Sequence, residues 1–162
     1  MEKETKEILK ILENNARLTP EKIGVMLGIS EEKVKEQIEK LEKDGVIIKY
    51  KTLIDWEKAE EEKVFAFIDV RVIPERGKGF DAIATRLYEY PEVHSLYLMS
   101  GAYDLAVVVE GRSMKEIAFF VAERLATLEG VQSTTTHFLL KKYKVDGVVL
   151  RKEEDKRLEM VL

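Results

Sequence analysis

Thr19-Pro20-Glu21-Lys22-Ile23-Gly24-Val25-Met26-Leu27-Gly28-Ile29-Ser30, continued by residues 31–45, is the stretch that decides the fold. It spells two short helices joined by a glycine turn, the spacing of a helix-turn-helix. Thr19 caps the first helix, and Pro20 takes its first position, where a missing N–H costs nothing. Gly24 leaves room for the helices to cross, and Gly28 supplies the turn. Ser30 caps the second helix, with Glu31 and Glu32 at the positive end of its dipole. Ile23, Leu27, Ile29, Val34, Ile38 and Leu41 recur at spacings that bring them to one inner face. Taken alone, these residues also suit a purely structural helical hairpin.

What flanks the stretch argues for more. Residues 4–14 read as a preceding helix with Ile8, Leu9 and Leu12 as its apolar stripe, and Asp44-Gly45 stops the later helix. Residues 46–53 then read as a strand, and a strand directly after such a helix makes a winged helix-turn-helix. Residues 54–63, rich in Glu and Lys, have the composition of a hinge. From residue 64 the period changes to two. Val64, Ala66, Ile68, Val70 and Val72 share one face; Phe65, Phe67, Asp69 and Arg71 share the other.

Pro74 and Gly77-Lys-Gly79 break that strand, and Phe80, Ile83, Ala84 and Leu87 mark a helix ending near Pro91. Residues 93–100 and 105–110 are strands joined by Gly101-Ala-Tyr-Asp104. Ser113-Met-Lys-Glu116 has the form of a capping box, and its helix carries Ile117, Val121, Leu125 and Leu128 as far as Gly130. Residues 131–141 form the last strand. The order is β-α-β-β-α-β, a ferredoxin-like arrangement with both helices on one face of an antiparallel sheet.

The expected fold class is therefore α+β. A winged helix-turn-helix spans residues 1–53, a hinge 54–63, a ferredoxin-like domain 64–144 and an extension 145–162. That extension holds Val148-Val-Leu150 and residues 158–162, an added strand, a partner-binding arm or a charged tail. The second sheet face is left bare, with Phe65 and Phe67 on it. Burying each would stabilise an assembly by roughly 2 kcal/mol. A sheet-to-sheet homodimer is the simplest cover, and hinge segments of the same chain are the alternative.

At 162 residues, 45% hydrophobic, the chain can build a core, and no apolar run is long enough to span a bilayer. The start, Met-Glu-Lys-Glu-Thr-Lys, is unlike a signal peptide, and zero cysteines exclude disulfides and thiolate chemistry. A cytoplasmic protein with no membrane partner is the expectation. Charged residues make up 36% at a net charge of −4, a balance with no global pull towards nucleic acid.

These marks together resemble the leucine-responsive regulator/AsnC family of transcription factors, the feast/famine regulators. The N-terminal marks are Ile8-Leu9, Asn15-Ala-Arg17, Ile23-Gly24, Leu27-Gly-Ile-Ser30, Val34, Ile38, Leu41 and Gly45-Val-Ile47. The C-terminal ones are Pro91-Glu-Val93, Gly101-Ala-Tyr-Asp104, Gly130-Val131 and Thr134-Thr-Thr136. The resemblance spans residues 4–144. It implies double-stranded DNA as a partner, homodimers or larger assemblies of dimers, and an amino acid sensed at an interface between dimers. By the same resemblance Gly101, Tyr103, Asp104, Thr134 and Thr136 line the effector pocket. Asp104 offers a carboxylate to an ammonium group, Gly101 admits close backbone approach, and the two threonines share a strand face. An ordinary hairpin with an aspartate bonding its own loop is the competing explanation of the turn.

For DNA, the candidates are Arg17, Ser30, Lys33, Gln37, Lys40, Lys49 and Lys51. Gln37 suits adenine, Lys33 and Lys40 suit guanine or phosphate, and Arg17, Lys49 and Lys51 suit phosphate. The reading helix departs from the family pattern, which places arginines on its exposed face. Residues 31–44 hold six acidic residues against four lysines, leaving −2 where phosphates must be met. A DNA-silent amino-acid sensor or partner modulator of the same family is the alternative this raises. No cofactor, metal site or catalytic motif is read from the sequence. The remote enzymatic alternative, a haem-pathway decarboxylase-like protein, would rest on His94, His137 and Arg71.

Overall fold

Helix α1 (Lys3–Asn14), α2 (Pro20–Leu27) and α3 (Glu31–Lys43) open the chain. The computed structural model describes residues 2–74 and 79–150, so Gly77 and Lys78 of the expected loop, and residues 158–162, lie outside the described residues. Two compact units divide between Ile54 and Asp55.

In the first unit, the apolar spacing closes on a cluster of Ile8, Leu12, Ile23 and Val34, with Leu18, Leu27, Ile29, Ile38 and Ile47 packed around it. Both helix starts are capped as their sequences direct. Thr19 Oγ1 accepts from Lys22 N and Ser30 Oγ accepts from Lys33 N. Gly24 is there for space, since a Cβ would stand 2.7 Å from Ile29 O. α3 ends in a Schellman motif: Val46 N donates to Leu41 O, Gly45 N donates to Glu42 O, and Gly45 takes φ +69°.

Residues 46–53 are not a strand, contrary to the sequence expectation. The first two N–H groups of the segment fold back onto Leu41 O, and no neighbouring strand completes a ladder among the described residues. Ile47 packs on the helices, while Ile48 stands 91% exposed.

The second unit begins with a turn. Glu60 N donates to Glu57 O and Glu61 N to Trp56 O, a second Schellman motif, with Glu60 in the left-handed region at φ +59°. Lys63 Nζ lies 4.1 Å from the centre of the Trp56 ring and 2.8 Å from Glu110 Oε1.

Four antiparallel strands follow, β1 (Val64–Val72), β2 (Val93–Leu98), β3 (Leu105–Gly111) and β4 (Val131–Phe138), in the order β2-β3-β1-β4. Helices α4 (Asp81–Tyr88) and α5 (Met114–Phe120) lie on one face. There Ala66, Ile68, Val70, Val72, Leu105, Val107 and Val109 bury against Ile83, Leu87, Ile117, Phe120 and Leu125. The sheet is the expected one, with β2 and β4 shorter at their C-terminal ends.

One feature was not legible: α5 runs into a π-helical turn over Val121–Leu125. Val148-Val-Leu150 contributes the added strand offered as one of its readings, β6 (Val148–Val149), which forms a hairpin with β5 (Lys144–Val145) after the sheet. The chain leading to it stays on the edge of β1 through Leu139 N, which donates to Phe65 O, and then covers part of the bare face, with Lys142 Nζ 3.3 Å from the Phe65 ring centre. Phe65 is thus half-buried by its own chain, while Phe67 remains 46% exposed.

Candidate DNA-reading helix and effector turn

α3 divides into two faces. Val34, Gln37, Ile38 and Leu41 turn inward, leaving Lys33, Lys35, Glu36, Glu39, Lys40 and Lys43 exposed. Gln37 therefore lies on the inner half of the helix. Its Oε1 accepts from Thr5 Oγ1 at 2.7 Å, and Thr5 is itself buried. This bond fixes α3 against α1 and leaves the Gln37 amide NH2 as its group for a base edge.

Lys33 pairs with Glu4 of α1, and Lys35 with Glu31 at 2.6 Å. Hydrogen bonding to those carboxylates, then their charge, holds both ammonium groups above the ordinary lysine range. Two lysines of the reading helix thus already face carboxylates of their own unit. Lys40 is exposed, and so are Lys49 and Lys51 on the irregular segment after α3. Arg17 is exposed, with its backbone N–H donated to Asn15 Oδ1. Ser30 acts as the cap of α3. Tyr50 donates to Glu42 Oε1 at 2.8 Å; burial and then that bond push its hydroxyl up to about 12.

In the second unit the turn at residues 101–104 does more than join β2 to β3. Asp104 N donates to Val70 O, and Asp104 Oδ2 accepts from Val72 N at 2.9 Å. On the β3 side the ladder of β1 ends at Val70, paired with Leu105, while on the β4 side it continues past a bulge to Val72, paired with Val131. Asp104 satisfies the next β1 amide on that side, just beyond the end of β3. Its carboxylate binds a neighbouring strand rather than its own loop.

Gly101 takes φ +149°, a conformation that side chains disfavour. Arg71 Nη2 donates to Ala102 O at 2.8 Å and its guanidinium lies 5.9 Å from the Tyr103 ring centre. The Tyr103 hydroxyl is 3.4 Å from Thr135 Oγ1, and His137 Nε2 is 2.9 Å from Asp69 Oδ2.

Arg71 meets the turn at Ala102 and Tyr103, and Asp104 ties the same turn to Val72, but Thr134 and Thr136 do not join them. They pair with Val70 and Ile68, whose side chains face the helices, whereas Thr135 opposes Asp69 on the other face. Arg71 and Thr135, which meet Tyr103 here, were not among the sequence candidates for the effector turn. The face of Arg71 was readable from alternation; its meeting with Tyr103 required the strand order.

His94 and His137 sit on opposite edge strands, three strand spacings or about 14 Å apart, and do not converge. No group of His, Asp and Glu among the described residues is placed to hold a metal, and no described helix is long and apolar enough to cross a membrane.

Comparison with known proteins matches both units. Residues 2–48 fit the family model of a winged helix-turn-helix DNA-binding domain, and residues 65–149 that of an Lrp/AsnC ligand binding domain. The chain is 55% identical over 159 residues to the Bacillus subtilis HTH-type transcriptional regulator YugG, covering 97% of this chain and 95% of that one. It is 34% identical over 139 residues to the regulator FL11 of Pyrococcus horikoshii, covering 86% and 89%. Among solved structures, the transcriptional regulator NMB0573 of Neisseria meningitidis, in complex with L-Met, superposes with a TM-score of 0.72. It shares 25% identity over 90% of this chain and 93% of that one.

Proposed function

Because this chain belongs to the Lrp/AsnC family of DNA-binding transcriptional regulators, we propose that it reads duplex DNA with α3 and that an amino acid beside residues 101–104 biases its assembly. The matches are to regulators, and the chain is a regulator and not an enzyme. The decarboxylase alternative falls with them.

One observation supports the effector reading: the turn at residues 101–104 is held from β1 both by the Arg71 guanidinium, on Ala102 and beside the Tyr103 ring, and through the Asp104 carboxylate on Val72 N. An amino acid is a zwitterion, and this pair complements both its charges. Each charge-assisted bond contributes about 1.5–3 kcal/mol. NMB0573 in its complex with L-Met makes methionine the first ligand to try. Thr134 and Thr136 enter the pocket only if a second copy brings its β4 edge to the turn, so the complete site lies between copies. Self-association itself proceeds through the bare sheet face around Phe67 and Tyr97, both about half exposed.

The test is calorimetric titration of the full chain with methionine and then the other amino acids, beside Asp104→Asn. Asparagine keeps an oxygen for Val72 N and removes only the charge. Saturable binding by the wild type that Asp104→Asn abolishes, at an unchanged melting temperature, supports the site. No binding of any amino acid by the wild type rejects the effector reading. On the DNA side, anisotropy with the duplex upstream of the gene and an unrelated duplex should show tighter, salt-dependent binding to the former. Silence on both at low salt would return the partner-modulator alternative.

A further inference from the structure

The reading helix is short of positive charge, since α3 is net acidic and Lys33 and Lys35 are held by carboxylates. Phosphate neutralisation supplies most of the sequence-independent affinity for DNA. Residues 139–144, Leu-Leu-Lys-Lys-Tyr-Lys, offer it elsewhere: residues 137–150 carry three lysines against a single aspartate, Asp146.

This strap is anchored at its start, where Leu139 N donates to Phe65 O at 2.8 Å, and runs into a hairpin that Leu150 N closes on Tyr143 O at 3.0 Å. Lys142 lies over the Phe65 ring, and Lys141 Nζ is 4.7 Å from the centre of the Tyr143 ring. Tyr143 is 68% exposed and Leu140 85%. Among the described residues Lys141 and Lys144 form no ion pair, unlike Lys33, Lys35 and Lys63. The strap is therefore a row of held, outward lysines beside a tyrosine hydroxyl, the donor set that grips phosphate oxygens without reading bases.

We propose that residues 139–144 are a second contact for duplex DNA, made to backbone phosphates by Lys141, Lys144 and the Tyr143 hydroxyl. It rests on DNA binding by the helix-turn-helix unit. Its own signature is different: the strap adds affinity equally for every sequence and steepens the salt dependence.

The experiment compares salt titrations of binding for four forms of the full chain: wild type, Lys141→Gln/Lys144→Gln, Lys58→Gln/Lys115→Gln as a charge-matched control, and Lys40→Ala on α3. For the strap variant, the log–log salt slope should fall by about 1.8, roughly 0.9 for each phosphate no longer neutralised. Its affinity at moderate salt should drop about three- to tenfold for upstream and unrelated duplexes alike. The control pair should leave the slope unchanged. An unchanged strap slope, an equal effect in the control pair, or a changed assembly mass for the strap variant would each overturn the proposal. Loss of binding in Lys40→Ala alone would leave the helix reading intact and reject the strap. No binding by the wild type would instead remove the DNA reading on which the strap rests.

Discussion

Single residues carry two of the tightest constraints in this chain, and they point in opposite directions. Gly24 cannot gain a methyl group without moving the Ile29 carbonyl, which would stand 2.7 Å from the new carbon. Alanine improves helix propensity by about 1 kcal/mol, but overpacking of this kind costs about 1–3 kcal/mol. Gly24→Ala should lower stability by up to about 2 kcal/mol in urea unfolding, and a gain of about 1 kcal/mol would mean that the helices move apart at no cost. Glu60 presents the reverse case. It occupies the left-handed position of a Schellman motif, where glycine is the usual residue. The strain on a side chain there is about 1–2 kcal/mol, partly offset by the greater unfolded-state freedom of glycine. Glu60→Gly should therefore stabilise the chain by about 0.5–1 kcal/mol, read from the same unfolding curves.

At the scale of elements, what was readable in the sequence was local. Caps at Thr19, Ser30 and Ser113, the stop at Gly45 and the period-two run of Val64–Val72 all depend on residues within a few positions of one another, and the structure contains each. What failed depended on a partner elsewhere. Residues 46–53 have strand composition but no neighbour to pair with among the described residues, and the bond from Thr5 of α1 to Gln37 of α3 joins residues 32 positions apart. The split of Thr134 and Thr136 from Tyr103 follows from the register of β4 on β1, which no periodicity reveals. α5 supplies a test at this scale. Ser113 Oγ accepts from Glu116 N, and the Glu116 carboxylate reaches back to Arg112 N at 2.7 Å. That backbone bond holds the Glu116 carboxyl below its ordinary value of 4.5. A lowered folded-state value stabilises above 4.5, and the contribution is lost as pH falls through the folded value. Glu116→Gln should melt below the wild type at neutral pH, with the gap closing on acidification; a gap constant with pH would assign the bond no charge component.

For the whole molecule, the sheet is covered by helices on one face and only partly by residues 139–142 on the other. Phe67 stands in the uncovered part, with Tyr97 also exposed on β2. Twofold symmetry places each such residue in an interface twice, so its effect on association is doubled. Phe67→Lys should shift sedimentation from the assembled species to the monomer at micromolar concentration while leaving the melting profile of each unit recognisable. Persistence of the dimer would move the interface to another surface.

The turn that opens the second unit has an optical consequence. Trp56 is the sole tryptophan of the chain, and Lys63, tied to Glu110, lies across its ring. All indole emission from this protein thus originates at the place where the first unit hands over to the sheet. The ammonium charge above the ring makes that emission sensitive to whether the Lys63–Glu110 bridge is closed. Without any label, the colour of its fluorescence reports on the turn that leads into the sheet.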